Sequence, residues 1–479
     1  MPVYHAESSV AVTVSGRIHR LPLEVLARMF KFYVGKDEQD NSFDPTYEVF
    51  PLGAVCKTWR YTAWTTPSLW TRLRFKFGSR TTESKVQLAM GWLMRSGVLP
   101  LDVYLSATES TETIILPLVD LVNRLLYRCR FLILSNLTYL AQSRFSPPSR
   151  SSILEILRII PLTITSPLYL GPNVAPKDLC ILGYYVNLLD INWGNLTTVE
   201  GLEVCLIDVF HVINMAPQLV SFRRVYVHMD SSLPPDGYKQ ITHSKLQNLM
   251  IESHEDSESE ADVALDTFFR TVSLPSLIDC CTESQCYPFP SAAFCSFLSR
   301  SSCSIQELDI YTASIETDVL IEIAKASPNV RNFSLEFPPH TGVPEVHRRQ
   351  SNLGPFYDAL VQVSETTGSY VLFPHLQKFS ICADAVFPWK NFPRICRRTN
   401  LKGICISVLK GYEDPDFFPS SWELFAELLE LNEARNFDIK YGNRSLLEQA
   451  FHYLKSSGKE YSSDLVDRFA KTLTSFEDE

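Results

Sequence analysis

The feature that most constrains this chain is a recurring sequence pattern, in which an apolar helix is followed by a proline-containing turn and then by a short strand. Proline cannot continue a helix, so at these points it ends one element and turns the chain toward the next. The copies place helices over 202–215, 262–272 and 318–326, with prolines at Pro217, Pro275 and Pro328. The sequence therefore predicts a repeating unit of one helix and one strand.

The strands of this unit carry the spacing apolar-x-x-apolar-x-apolar, which is typical of leucine-rich repeats. Clear copies begin at Leu246, Ile305, Val330 and Leu376. Weaker copies begin at Trp70, Cys129, Leu154, Leu277 and Ala434, and those at Leu196 and Leu219 match only the first two positions. Successive strands from Leu219 to Val330 start roughly 25 to 31 residues apart, near the leucine-rich-repeat period. The longer interval before Leu376 indicates an insertion, with a surface loop over 340–354 and a helix over 356–364.

Units of this kind bury a face only by stacking on their neighbours, which predicts a curved repeat array. An ordinary α/β domain has the same alternation of helices and strands and is the alternative. A chain of 479 residues is too long for one core of ordinary size, and its 45% hydrophobic content is that of a globular protein. The last 39 residues carry two apolar helical stripes and are expected to cap the array.

Charge and patterning limit the partners and the compartment. The net charge of −10, with basic residues only in short runs such as Arg397-Arg398, argues against a nucleic-acid-binding face. No secretory signal begins the sequence, and no apolar run approaches the ~20 residues of a membrane helix. We therefore expect a cytoplasmic or nuclear protein without a membrane partner, whose twelve cysteines are thiols.

The motifs that would indicate catalysis are missing. There is no glycine-rich phosphate loop and no nucleophile elbow, and His254-Glu255 lacks the second histidine of a zinc-protease helix. Cys280, Cys281 and Cys286 lie close in sequence but form no C-x-x-C pair, so they are expected to be core thiols and not zinc ligands. The sequence predicts no enzyme, no catalytic residue, no cofactor and no metal site.

The first 75 residues form a different region. Leu21-Pro22 begins an apolar helical stripe that continues to Tyr33, and Gly35 is a plausible end of the helix. A polar loop is predicted over 36–48. A second helix carries Leu52, Val55, Cys56 and Trp59 on one face, and 61–64 either continues it or begins a third helix.

This region resembles an F-box. The features are Leu21-Pro22 with Glu24-Val25-Leu26, then Val55-Cys56 with Trp59-Arg60, then Thr66-Pro67 with Leu69-Trp70. The order matches the F-box-like variant that is abundant in mushroom-forming fungi, apart from the long 36–48 loop. The resemblance implies a three-helix module that docks on a Skp-type adaptor and, through it, on a cullin. The residues implied as adaptor contacts are Leu21, Pro22, Val25, Met29, Leu52, Val55 and Trp59.

We therefore expect an α/β protein with an F-box-like helical module over 17–75, an irregular leucine-rich-repeat solenoid over 76–440 and C-terminal helices over 441–479. The resemblance implies a substrate receptor of a cullin-RING (SCF-type) ubiquitin ligase, whose repeats bind a protein target that the sequence does not identify. The alternative is an interaction scaffold whose N-terminal helices only cap the repeats. The acidic stretch 252–262 is read as a solvated loop, or as a phosphorylation site at Ser257 or Ser259.

Overall fold

The computed structural model describes most of the chain up to residue 408 and a few short segments beyond it. The described residues are 21–34, 45–107, 113–160, 167–183, 185–201, 203–228, 238–253, 263–284, 289–312, 315–337, 353–383, 391–408, 426–427, 430–431, 438–441 and 444–445. The expected C-terminal helices, Ser257, Ser259 and nearly all of the loop predicted over 340–354 lie outside them. The chain divides into two compact units, Met1–Trp193 (unit 1) and Gly194–Glu479 (unit 2).

In the described part of unit 1, three helices precede a parallel sheet. Its helices are α1 Leu23–Val34, α2 Pro45–Val55, α3 Lys57–Thr65, α4 Glu83–Arg95, α5 Leu116–Arg124 and α6 Tyr139–Gln142. Its strands are β1 Arg72–Phe77, β2 Leu101–Ala107, β3 Cys129–Ser135, β4 Ile156–Ile160, β5 Leu168–Gly171, β6 Asp178–Ile181 and β7 Leu189–Ile191. Short 3₁₀ helices cover Pro67–Trp70, Leu126–Arg128 and Val186–Leu188. The sheet order is β1-β2-β3-β4-β6, all parallel, and β5 pairs with β7.

Unit 2 repeats the pairing of one strand with one helix. Its helices are α7 Leu206–Met215, α8 Val263–Thr271, α9 Ser291–Ser301, α10 Thr317–Ala326, α11 Gly354–Leu360 and α12 Phe392–Cys396. Its strands are β8 Thr198–Glu200, β9 Glu203–Cys205, β10 Ser221–His228, β11 Ile241–Thr242, β12 Asn248–Ser253, β13 Val272–Ser273, β14 Asp279–Ser284, β15 Glu307–Thr312, β16 Asn332–Glu336, β17 Lys378–Ala383, β18 Gly403–Val408, β19 Asp438–Tyr441 and β20 Arg444–Ser445.

The main sheet of unit 2 is parallel from β8 to β19. The order is β8-β10-β12-β14-β15-β16-β17-β18-β19, with β9 beside the far end of β10 and β20 antiparallel to β19. From β10 to β18 the register places one apolar residue of each strand of this order in a single buried row: Phe222, Leu249, Cys280, Leu308, Phe333, Phe379 and Ile404. Side chains alternate between the faces of a strand, so the residues next to this row lie on the opposite face.

The predicted helix–turn–strand unit is present in the structure. The turns close with backbone hydrogen bonds from Leu219 to Ala216 (3.0 Å), from Leu277 to Leu274 (3.2 Å) and from Val330 to Ser327 (3.3 Å). Leu219, Leu277 and Val330 donate these hydrogen bonds, and the strands β10, β14 and β16 begin two residues after them. The structure therefore confirms a mixed α/β fold built on parallel strands, several of which are joined through helices.

Several predicted boundaries are wrong. The helix expected over 202–215 starts only at Leu206, because Glu203–Cys205 pairs with β10 as a strand. The helix expected to reach residue 364 ends at Leu360, and the predicted 36–48 loop gives way to α2 at Pro45. Strands β2 and β18 were not predicted. Strand β2 pairs with β1, and strand β18 pairs with β17. The apolar spacing within a strand does not show which other strand it pairs with.

A buried arginine joins neighbouring helix–strand units in unit 2. Arg398 is 1% exposed, and its guanidinium donates to the carbonyl oxygens of Leu360 (2.9 Å), Leu372 (3.1 Å) and Phe373. Phe373 has a positive φ of 46°, a conformation that L residues rarely adopt. Burial lowers the pKa of Arg398 to about 10, so the guanidinium stays charged at neutral pH. Arg398 therefore satisfies the carbonyl group of the last residue of α11 and two carbonyl groups of the segment between α11 and β17.

Candidate functional site

The first helix has apolar side chains on two faces. Its first turn is closed by the Pro22 carbonyl, which accepts the backbone N–H groups of Val25 and Leu26, both at 3.1 Å. Leu26 and Phe30 are buried against the other N-terminal helices. The exposed apolar side chains of α1 are Leu23, Val25, Met29, Phe32 and Tyr33, and Phe32 is 74% exposed.

We call Val25, Met29, Phe32 and Tyr33 the apolar ridge. These residues follow i, i+4, i+7 and i+8 spacing, so they share one face of the helix. A helix that is apolar on both sides ordinarily lies inside a protein. Exposed apolar stripes of this kind mark surfaces that another molecule covers.

The second and third helices are separate, whereas the sequence suggested one apolar face running through Cys56. The backbone of Cys56 is extended (φ −160°, ψ 173°), which interrupts the helix. Its sulfur accepts the Trp59 N–H at 3.5 Å and its carbonyl accepts the Arg60 N–H at 2.9 Å, so Cys56 caps α3. The break turns Val55 into solvent, where it is 59% exposed.

The structure distributes the predicted contact residues over three environments. Pro22, Val25, Met29 and Val55 are exposed, and Leu21 and Trp59 are half-buried. The Trp59 ring packs edge-on against Phe30, with ring centroids 4.9 Å apart. Leu52 is only 6% exposed and belongs to the core of the helices.

Several exposed apolar side chains of these helices were missing from the predicted set, namely Leu23, Phe32, Tyr33 and Tyr61. Phe32 completes the stripe of Val25 and Met29 at i+7, and this spacing was present in the sequence. Tyr61 is 61% exposed on α3, and no local pattern separates it from its buried neighbours Thr62 and Ala63. Sequence periodicity gives the spacing of a stripe, but it does not say which of two apolar stripes faces the core.

An aromatic cluster fixes the helices on the first strand. Trp70 packs edge-on against Trp64 and Trp92, with centroid distances of 5.4 and 4.5 Å, and Phe50 contacts Trp92 at 5.7 Å. The Trp70 indole donates to the Ala63 carbonyl and the Trp92 indole donates to the Arg72 carbonyl of β1, both at 2.9 Å. These contacts pack α2 and α3 against α4 and β1 in unit 1.

In unit 2 the face of the sheet opposite the buried row carries many carboxyl groups. Asp279 lies beside Glu307 across β14 and β15, and Asp309 follows two residues along β15. Burial, then Asp279 and Glu307, raise the pKa of Asp309 to about 6. Burial and Glu307 likewise raise the pKa of Asp279, although Arg223 opposes this. Burial in this acidic setting raises the pKa of Tyr311 to about 12.

Within the described ranges, no group of three or more His, Cys, Asp or Glu side chains is placed to hold a metal ion. The described cysteines are free thiols, and burial raises the pKa of both Cys280 and Cys281, so these thiols are not nucleophilic at neutral pH. Cys286 lies outside the described residues. Among the helices that the structure describes, none is both long and apolar enough to cross a membrane.

The site is therefore a surface of apolar side chains on a base of packed helices, and its geometry suits binding to another protein. The sequence matches no family model and no curated protein.

Proposed function

We propose that this chain is a substrate-receptor subunit of a cullin-RING (SCF-type) ubiquitin ligase. Its N-terminal helices form an F-box-like module that binds a Skp-type adaptor, and through it a cullin. The later helix–strand units form a leucine-rich-repeat-like array that binds the protein target. The chain itself supplies proximity and orientation, and other subunits carry out the chemistry.

The observation that carries the proposal is the exposed apolar ridge on α1. Val25 and Met29 belong to the motif that resembles an F-box, and the ridge extends them to Phe32 and Tyr33. Covering exposed side chains of this size contributes about 1–2 kcal/mol each. The packing of Phe30 of α1 on Trp59, with α3 held in turn by the aromatic cluster around Trp70, supports the same function, because a ridge on a packed base loses little conformational entropy on binding.

The repeating helix–turn–strand units support the array. Parallel strands joined through helices present a continuous sheet face on which side chains from many units act together. Such a face suits the recognition of a protein target, because it is broad and is held by backbone pairing. The identity of the target is not part of the proposal.

Adaptor capture by the full-length chain tests the proposal. Val25→Ser with Met29→Ser removes apolar surface from the ridge at exposed positions, so we expect binding to a purified Skp-type adaptor to fall at least about tenfold with little change in Tm. The matched control is Leu88→Ser with Met94→Ser, which removes similarly exposed apolar groups from α4. Adaptor binding that is absent in the unmodified chain, or that both double variants retain, would contradict the proposal.

The second candidate function is an interaction scaffold whose N-terminal helices only cap the array. The contact of α3 with β1 through Trp70 and Trp92 favours it, because a cap needs such an anchor. The two functions differ in the adaptor assay. A scaffold captures no adaptor in the unmodified form, and substitutions in the apolar ridge then change neither adaptor capture nor the Tm.

A further inference from the structure

The open face of the unit 2 sheet concentrates negative charge. The strands β12, β14, β15 and β16 are neighbours in the sheet, and none of them contains Lys, Arg or His. Their carboxyl groups alternate with the residues of the buried row and so lie together on the open face: Glu252, Asp279, Glu283, Glu307, Asp309 and Glu336. We call this surface the acidic sheet face.

Four carboxyl groups of the acidic sheet face repel one another. Glu252 and Glu283 already take part in other interactions. None of the ion pairs formed among the described residues includes the other four, which are Asp279, Glu307, Asp309 and Glu336. Burial and neighbouring carboxylates raise the pKa of Asp279, Asp309 and Glu336, and Arg223 opposes the rise at Asp279. A bound cation offsets this repulsion, so the charge favours a basic partner.

A buried hydroxyl group on the same face has no hydrogen-bond partner among the described residues. It belongs to Ser221, which is 6% exposed and begins β10. The register places Ser221 in one row with Asn248, Asp279 and Glu307. A buried polar group without a partner carries an uncompensated desolvation cost. A polar segment that lies along this row can supply the missing hydrogen bond, which is a second sign of a ligand, independent of the charge.

Two pairs of side chains define the spacing of the ligand. Asp279 and Glu307 are register partners on β14 and β15, and Tyr311 and Glu336 are register partners on β15 and β16. No cation of the described residues lies over the Tyr311 ring, so the ring can receive one from a ligand. Four residues along β15 and one strand spacing separate the two pairs by about 14 Å. An extended peptide advances about 3.3 Å per residue, so about four residues cover this distance.

We propose that the acidic sheet face binds an extended basic segment of a protein target, with arginines at positions i and i+4. The first guanidinium pairs with Asp279 and Glu307, beside Asp309, and the second pairs with Glu336 and stacks on Tyr311. Arginine is favoured over lysine, because its planar guanidinium forms two parallel hydrogen bonds with a carboxylate and stacks on aromatic rings. The surface is the target site of the proposed receptor function, and this role rests on that proposal.

The test is fluorescence anisotropy of a labelled peptide containing Arg-Ser-Ser-Ser-Arg with the full-length chain, without adaptor and at about 50 mM salt. We expect saturable binding that weakens as salt is added. Asp279→Asn with Asp309→Asn should weaken it at least about tenfold without lowering the Tm, because this variant also removes repelling charges. The matched control, Glu322→Gln with Asp358→Asn, makes the same net charge change at exposed positions of α10 and α11 and should alter affinity less than about twofold.

Further probes decide the chemistry. A peptide of the same composition with adjacent arginines should bind more weakly, as should the corresponding lysine peptide, and the corresponding glutamate peptide should not bind. Calcium chloride alone, measured by calorimetry, should bind more weakly than the arginine peptide. Tighter binding of calcium that Asp279→Asn with Asp309→Asn abolishes would overturn the proposal in favour of a metal site.

No binding of the arginine peptide, equal binding of the rearranged peptide, or an equal loss in the control variant would also overturn the proposal. If the double variant does not fold, Glu307→Gln with Glu336→Gln provides the same comparison. Because the adaptor is absent from the assay, failure of adaptor docking leaves this result unaffected.

Discussion

Replacing Asp309 with asparagine should stabilise unit 2 at neutral pH. Asp309 is partly buried on β15 with Asp279 and Glu307 nearby, and its pKa rises to about 6 from the ordinary value near 4. In the folded protein the carboxylate therefore experiences both desolvation and repulsion. Asparagine has nearly the same shape and carries no charge, so it removes both effects.

The magnitude follows from proton linkage. A shift of about two pKa units corresponds to a ceiling of about 3 kcal/mol, and solvent screening at this partly exposed position reduces it to about 1–2 kcal/mol. Because the folded pKa is higher than the unfolded one, the contribution of Asp309 to stability is fully present below about pH 4. It is lost as the pH rises through about 6. The advantage of Asp309→Asn should therefore be small near pH 4 and reach its full size by about pH 7.5.

The assay is chemical denaturation of both proteins at several pH values from about 4.5 to 7.5. The difference between the two curves cancels the contributions of titrating groups that do not interact with Asp309. Glu365→Gln, at an exposed carboxylate in the turn that follows α11, is the control and should show no such trend. A variant that is no more stable than the unmodified chain at pH 7.5, or an advantage that does not change with pH, would refute the reasoning.

Two further substitutions test the packing. Gly53→Ala places a methyl group 2.1 Å from Cζ3 of Trp64, so we expect the free energy of unfolding to fall by about 1–3 kcal/mol, measured as a lower Tm. The control is Gly91→Ala inside α4, where the added methyl group meets only the flexible end of the Arg95 side chain and should not destabilise the protein. Arg398→Met leaves three carbonyl groups without their donor and should cost about 3 kcal/mol. Arg397→Met, in an exposed ion pair with Glu427, should cost less than about 1 kcal/mol, and equal losses would contradict the role given to Arg398.

Local sequence patterns were sufficient to place many of the strands. The spacing that begins at Leu246, Ile305, Val330 and Leu376 marks the strands β12, β15, β16 and β17 within two residues of their observed starts. The predicted turn prolines Pro217, Pro275 and Pro328 lie within four residues of the ends of α7, α8 and α10. These signals are reliable because helix ends and strand alternation depend on residues close together in the chain.

The candidate contact surface was predictable only in part. The stripe of Val25 and Met29 could be read from its spacing, but Leu26 and Phe30 form an equally apolar stripe on the same helix. Which stripe is buried depends on Trp59 and its neighbours, which reach α1 only after the chain has turned at Cys56. Leu52 was assigned to the contact surface although it lies in the core, because the spacing of apolar residues does not show which of them the fold buries.

The sequence by itself determined the period of the helix–strand unit, the turns that separate its elements and the two apolar stripes of α1. Only the tertiary structure decided which residues of separate strands share a row or a face: Arg74 and Arg158 lie at opposite ends of one row in unit 1, and Asp279 lies near Asp309 in unit 2. The physical reason is that periodicity is a property of a few neighbouring residues. Strand register and burial are set by contacts between segments that lie tens of residues apart.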